Sequence, residues 1–328
     1  MIKLNLFWSV YKNLEKNFLQ LADYIHFADD QTKVYSMHIA DLIVRCSIEI
    51  EAISKELYLK LGGNPSPTDD NGNKRDLYFD TDCLDLLEKQ WNLSKKQVIV
   101  SATTFYFSAE TNRIFDPLHK ANKRGTSGSK WKQSYQAVKH SRISSLKMAS
   151  IENLLHAMGA LYILNLYYKD ETFDIGRVYM GANEFDNRVG SDVFSIFTYK
   201  ATLLSMSPCM DDSCITQQKD NDLDKSIYII KYDDKSFKEM HESFCKDNEI
   251  TLNNFKSSLE IAKFLKQNPD YKVESINKIC MDAGGMNLLA KIMSSSHTRN
   301  NRDTRTEAVI NKHAGIYPTL SSLENENP

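Results

Sequence analysis

The stretch WKQSYQAVKHSR, residues 131–142, carries the residue types that chemistry on a phosphodiester needs. Between Pro117 and Glu152 there is no acidic residue, yet Lys120, Lys123, Arg124, Lys130, Lys132, Lys139, Arg142 and Lys147 are all basic, with His119 and His140 among them. A local positive excess of this kind is the footprint of a phosphate-binding patch. Imidazole exchanges protons near neutral pH, so His140 could act as acid or base while Lys139 and Arg142 hold the phosphate and stabilise its developing charge. The bland alternative is a solvated basic helix face whose histidine bonds a neighbour.

Asp41, Arg45 and Glu49 lie at successive i,i+4 positions, with Glu51 nearby. Packed against the Trp131 segment, Glu49 or Asp41 could orient His140 or neutralise Lys139 and Arg142, and a carboxylate there would favour the charged imidazole. Otherwise the strip is a surface ladder, each pair contributing a few tenths of a kcal/mol. Trp131 reads as a packing anchor at a helix start. Tyr135 is either core or presents its hydroxyl to the cleft of His140.

Two further constellations carry less. Arg113 to His119 matches Arg-x5-His literally, but Pro117 within it forbids an uninterrupted helix. Cys209-x4-Cys214 and His241-x3-Cys245 offer soft ligands at the edge of the spacings used by structural zinc, and ordinary thiols are the expectation. Neither metal nor cofactor is expected. Gly-rich phosphate loops, G-x-S-x-G and H-E-x-x-H are absent.

The elements that must position these residues follow from periodicity. Apolar residues every three or four positions predict helices over 8–27 and 34–61, the second stopped by Gly62-Gly63 and the prolines beyond. A short helix is expected at 81–91. QVIVSATTFYF, 97–107, is ambiguous between a buried strand and a packed loop edge. A long helical pattern runs over 131–168. SIYIIKYDD, 226–234, is the best strand candidate, with helices expected near 236–246, 252–267, 272–281 and 286–293. The division expected is a helical domain over 1–170, a smaller, mostly helical region with a short β element over 171–293, and a polar, partly disordered tail over 294–328.

The 328 residues are 41% hydrophobic and 26% charged, which excludes collagen-like chains and global disorder. The net charge of -2 provides no global field for nucleic acid, so any such site must be local. Six irregularly spaced cysteines suit a reducing compartment. The amino-terminal stretch, with Lys12, Glu15 and Lys16, does not read as a signal peptide, and the apolar run from Ile151 to Tyr168 is interrupted by polar residues and too short to span a bilayer. A cytoplasmic protein without membrane contact is expected.

Four segments in order resemble HEPN-like domains over about residues 10 to 170. They are Tyr35-Ser36 opening a long helix, CSIEIEAISKEL (46–57), WKQSYQAVKHSR, and ENLLHAMGALYIL (152–164). They look most like prokaryotic members with a W…YN-x-x-KH-x-R pattern ahead of an apolar helix. The resemblance implies a mainly α, HEPN-like helical bundle, a homodimer with a composite site, and metal-independent RNA cleavage in toxin–antitoxin, phage-defence or CRISPR settings. The histidine of the family's Arg-x4-6-His motif falls on His140. Its arginine falls on Tyr135 and the following polar residue on Gln136, and a tyrosine cannot supply a cationic clamp.

Two functional expectations result. In the first, the protein is an endoribonuclease of a defence or toxin-type system. His140 takes the proton of the attacking ribose 2′-hydroxyl, Lys139 and Arg142 stabilise the phosphate, Tyr135 shares the site, Lys123, Arg124, Lys130, Lys132 and Lys147 bind RNA, and Glu49, Arg45 and Gln136 support. In the second, it is an inactive module that binds RNA or a protein partner from the same operon, antitoxin-like or structural.

Overall fold

The computed structural model describes residues 5–119, 129–177, 185–200, 220–293 and 304–312. The helices are α1 (Leu6–Gln20), α2 (Met37–Lys60), α3 (Leu84–Trp91), α4 (Glu110–Arg113), α5 (Lys130–Ser145), α6 (Ile151–Lys169), α7 (Asp220–Lys225), α8 (Asp234–Ser257), α9 (Leu259–Gln267) and α10 (Ile276–Met293). The strands are β1 (Phe27–Ala28), β2 (Val98–Val100), β3 (Phe105–Tyr106), β4 (Ile114–Phe115), β5 (Phe173–Arg177), β6 (Phe194–Ile196), β7 (Thr198–Lys200), β8 (Tyr228–Tyr232) and β9 (Arg305–Ile310).

These strands form three sheets, ordered β1-β3, β4-β2-β6 and β5-β9-β8-β7. The fold is therefore mixed α/β, and the mainly α, HEPN-like helical-bundle expectation is overturned. The reason lies in strand length and partner distance. The 97–107 run, ambiguous by pattern, supplies β2 and β3, of only three and two residues. So short a strand shows no readable alternation. Its partners are remote in sequence: Val98 faces Phe115 on one side and Ile196 on the other, both antiparallel.

The chain forms two compact units. The first takes the described residues up to Phe173 with those of 184–231 and 308–312, and the second those of 174–183 and 232–307. In the first unit α2 packs on α6, α5 and α1. Ser36 caps α2 by accepting from the Ile39 N–H at 3.1 Å, and Ser150 caps α6 by accepting from Asn153 at 3.3 Å. α6 is buried on nearly every side, as its all-round apolar sequence requires. The apolar stripe of α1 continues toward Ile25, but the chain leaves the α-helix after Gln20 and Phe27 pairs in parallel with Phe105. Buried Glu15 fastens the segment before β6 to α1, accepting from Ser191 Oγ and from the Asp192 and Val193 N–H groups at 3.0 and 3.2 Å.

The second unit closes its own core around Ile261, Ile279, Cys280, Leu288 and Ile292. There α10 is broken at Gly285, whose φ of 65° is open to glycine without strain.

Candidate functional site

The 131–168 pattern resolves into two helices rather than one. Ser141 leaves the helical region (φ -151°, ψ 62°), and a 3-10 turn at Leu146–Met148 precedes α6. The serines supply the local reason: the Ser144 hydroxyl donates to the Ser141 carbonyl at 3.3 Å, and the two hydroxyls lie 2.6 Å apart. Such bonds compete with the helical ladder.

The break leaves Lys139 through Ser144 exposed at the end of α5. His140 Nε2 lies 3.1 Å from Gln136 Oε1, one turn back on the same helix. Lys139 lies over the Tyr135 ring, 5.4 Å from its centroid, and the ring itself is buried. Arg142 Nη1 is 3.4 Å from Asp41 Oδ1 on α2. Glu49 is half-buried, and burial pushes its carboxyl up against the opposing effect of exposed Arg45. Among the described residues the hydrogen-bond partner of His140 is thus Gln136, and Asp41, not Glu49, meets the basic end of α5.

Other cations of the basic stretch are engaged by carboxylates distant in sequence. Lys132 binds Asp80, whose carboxyl burial pushes up and the ammonium brings below its usual range. Lys130 and Lys33 both bind Glu152, and together they outweigh its burial in the same way. Lys147 is exposed on the 3-10 turn. Lys123 and Arg124 lie outside the described residues, as do Cys209, Cys214 and the side chains of His241 and Cys245. Among the described residues no group of three or more His, Cys, Asp or Glu side chains is placed to hold a metal.

A cleft of about 370 Å³ opens at the other end of α5, lined chiefly by Gln97, Asp116, His119, Lys130, Gln133 and His156. Its back wall is the β2–β4 pair, on which α6 sits closely. A Cβ added at Gly159 would lie 3.2 Å from both Phe115 and Val98 and 3.4 Å from Pro117. Trp131, buried at the start of α5, donates its indole N–H to the Pro117 carbonyl at 3.1 Å and holds that turn against the helix. It is a packing anchor.

Comparison of the chain with protein-family models, curated proteins and solved structures found no match. Its chemistry therefore rests on its own geometry. His119 Nδ1 lies 3.3 Å from Asp116 Oδ2 across the turn after β4. Arg113 ends the short α4 and His119 follows a strand and a turn, so no continuous helix joins them. His156 is buried and stacks on Phe115, ring centroids 4.3 Å apart. Burial, aided by the Lys130 charge, brings its imidazole down to about 3, so it is neutral at ordinary pH.

Of the site residues read from sequence, only Lys130 enters this cleft. Asp116 and His156 do not stand out in the sequence as site residues, and His119 stands there as a member of the basic stretch and as one end of a broken motif. The signals were slight: a Pro-containing turn between Asp116 and His119, and one histidine inside an otherwise apolar helix.

Proposed function

We propose that the protein binds RNA through the exposed end of α5 without cleaving it there. The observation that carries this reading is the exposed run Lys139–Ser144, which presents Lys139, His140 and Arg142 against a single engaged carboxylate, Asp41. Phosphate contacts need exposed cations on a surface and nothing more.

Cleavage needs more. A base, a clamp and the reacting phosphate must converge, preferably where water is excluded. His140 is instead exposed and bonded within its own helix, Arg142 turns to Asp41, and Tyr135 is buried. These features favour the binding module over the endoribonuclease.

Anisotropy of a labelled single-stranded RNA against salt tests the proposal. Two or three phosphate contacts to a single strand give a log–log slope near -2, so affinity falls about tenfold between about 50 and 200 mM salt. Lys139→Glu with Arg142→Glu should abolish binding. Salt-insensitive binding, or none, would sink the reading. RNA cleavage in EDTA that disappears in His140→Ala would restore the enzyme.

A further inference from the structure

The cleft at the start of α5 offers chemistry that the exposed end does not use. His156 is 8% exposed and lines the cleft, and its side chain has no hydrogen-bond partner among the described residues. A neutral imidazole has one donor and one acceptor. Its nitrogens are not among the fully enclosed polar atoms that lack a partner, so they open onto the cleft, where a ligand can pair with them.

Three other features define what would complete it. Glu152 is shared by Lys33 and Lys130, which leaves that cluster one positive charge, while the Asp116 carboxylate, 3.3 Å from His119, also lines the cleft. Ser129 makes no side-chain cap on the 16-residue α5, and its carbonyl takes the Lys132 N–H at 2.9 Å, so of the first turn the Lys130 and Trp131 N–H groups are the ones a ligand could meet. Lys130 stands in that same turn, and the combination favours a phosphate. The Phe115–His156 stack and Ile114 supply an apolar, aromatic wall, and Gln97 adds an amide with both donor and acceptor. A volume of about 370 Å³ lies at the small end of ligand pockets and suits one nucleotide, not a longer segment.

We propose that this cleft binds a single nucleotide unit, its phosphate at Lys130 and the amino-terminal turn of α5, its base against Phe115 and hydrogen-bonded to His156. The proposal rests on the RNA-binding reading in one respect: the unit is one unstacked nucleotide of a single strand, which proteins hold against aromatic rings and by base edges.

Calorimetric titration of the full chain with adenosine monophosphate, uridine monophosphate, adenosine and inorganic phosphate tests it, with the imidazole NMR signals as the reporter of place. The expected result is a nucleoside monophosphate bound at least about tenfold more tightly than phosphate or nucleoside alone, with the His156 signal moving. His156→Phe keeps the stack and removes the hydrogen bonds, and Lys130→Gln removes the charge. Each should weaken the nucleotide about tenfold. Should His156→Phe not fold, Lys130→Gln and Gln97→Ala carry the test. Nucleotide bound no more tightly than phosphate, or unaffected by the variants, overturns the proposal. Mononucleotide binding without binding of longer RNA supports the cleft as a nucleotide site and removes both the α5-end reading and a single strand as the source of the nucleotide. Binding of longer RNA without mononucleotide binding overturns the cleft alone.

Discussion

The carboxylate of Asp41 on α2 lies 3.4 Å from the guanidinium of Arg142 on α5. Both side chains are substantially exposed, so the pair contributes little to stability, at most about 1 kcal/mol. Its consequence is for binding, because Asp41 offsets a cation that a phosphate would otherwise meet. Asp41→Asn is expected to leave urea denaturation nearly unchanged and to strengthen RNA binding several-fold at low salt. Unchanged or weakened binding would remove Arg142 from the RNA surface.

His156 predicts a dependence of stability on pH. Its folded pKa of about 3 lies below the unfolded value near 6.5, so the unfolded chain takes up the proton first. Stability from the neutral ring is complete above the unfolded value and is lost progressively as pH falls toward 3. Desolvation is the chief cause, followed by Lys130, opposed by Glu152, with Lys33 adding to the depression. Between about pH 7.5 and pH 5 the natural chain should lose on the order of 2 kcal/mol more than His156→Gln. Parallel urea titrations check this, and equal losses would place a solvated ring at that position.

Gly159 sets the distance between α6 and the β2–β4 pair. Alanine favours a helix by up to about 1 kcal/mol, but its methyl would press on Phe115, Val98 and Pro117. Overpacking costs about 1–3 kcal/mol, so Gly159→Ala should destabilise by up to about 2 kcal/mol net of the full helix gain. The Phe115 and His156 NMR signals should shift with it. A stabilised variant would mean that the wall yields easily.

Lys96 is fully buried, and its ammonium has no hydrogen-bond partner among the described residues. Burial brings its pKa down to about 8, against the favourable charges of Asp224 and Glu88. Replacement by methionine removes the buried charge and keeps the volume, and should stabilise the protein by about 1–3 kcal/mol at neutral pH. Because the folded pKa lies below the unfolded value, the natural chain regains stability as pH rises from about 8 toward 10.5, and the advantage of Lys96→Met should shrink there. Denaturation at both pH values measures it, and a methionine variant less stable at neutral pH would show that the amine has a partner.

The sequence by itself determined the local elements whose periodicity and caps are self-contained: the long α2 ending before Gly62-Gly63, and the apolar α6 behind Ser150. It also determined that a stretch dense in cations precedes α6. Only the tertiary structure decided the class of the fold, because Val98 finds its partners at Phe115 and Ile196 and strands of two or three residues carry no periodic signal of their own. It likewise decided which cations remain available. Asp80, Glu152 and Asp41 are far from Lys132, Lys130 and Arg142 along the chain, and ion pairs form by proximity in space, which charge counts along a sequence do not contain.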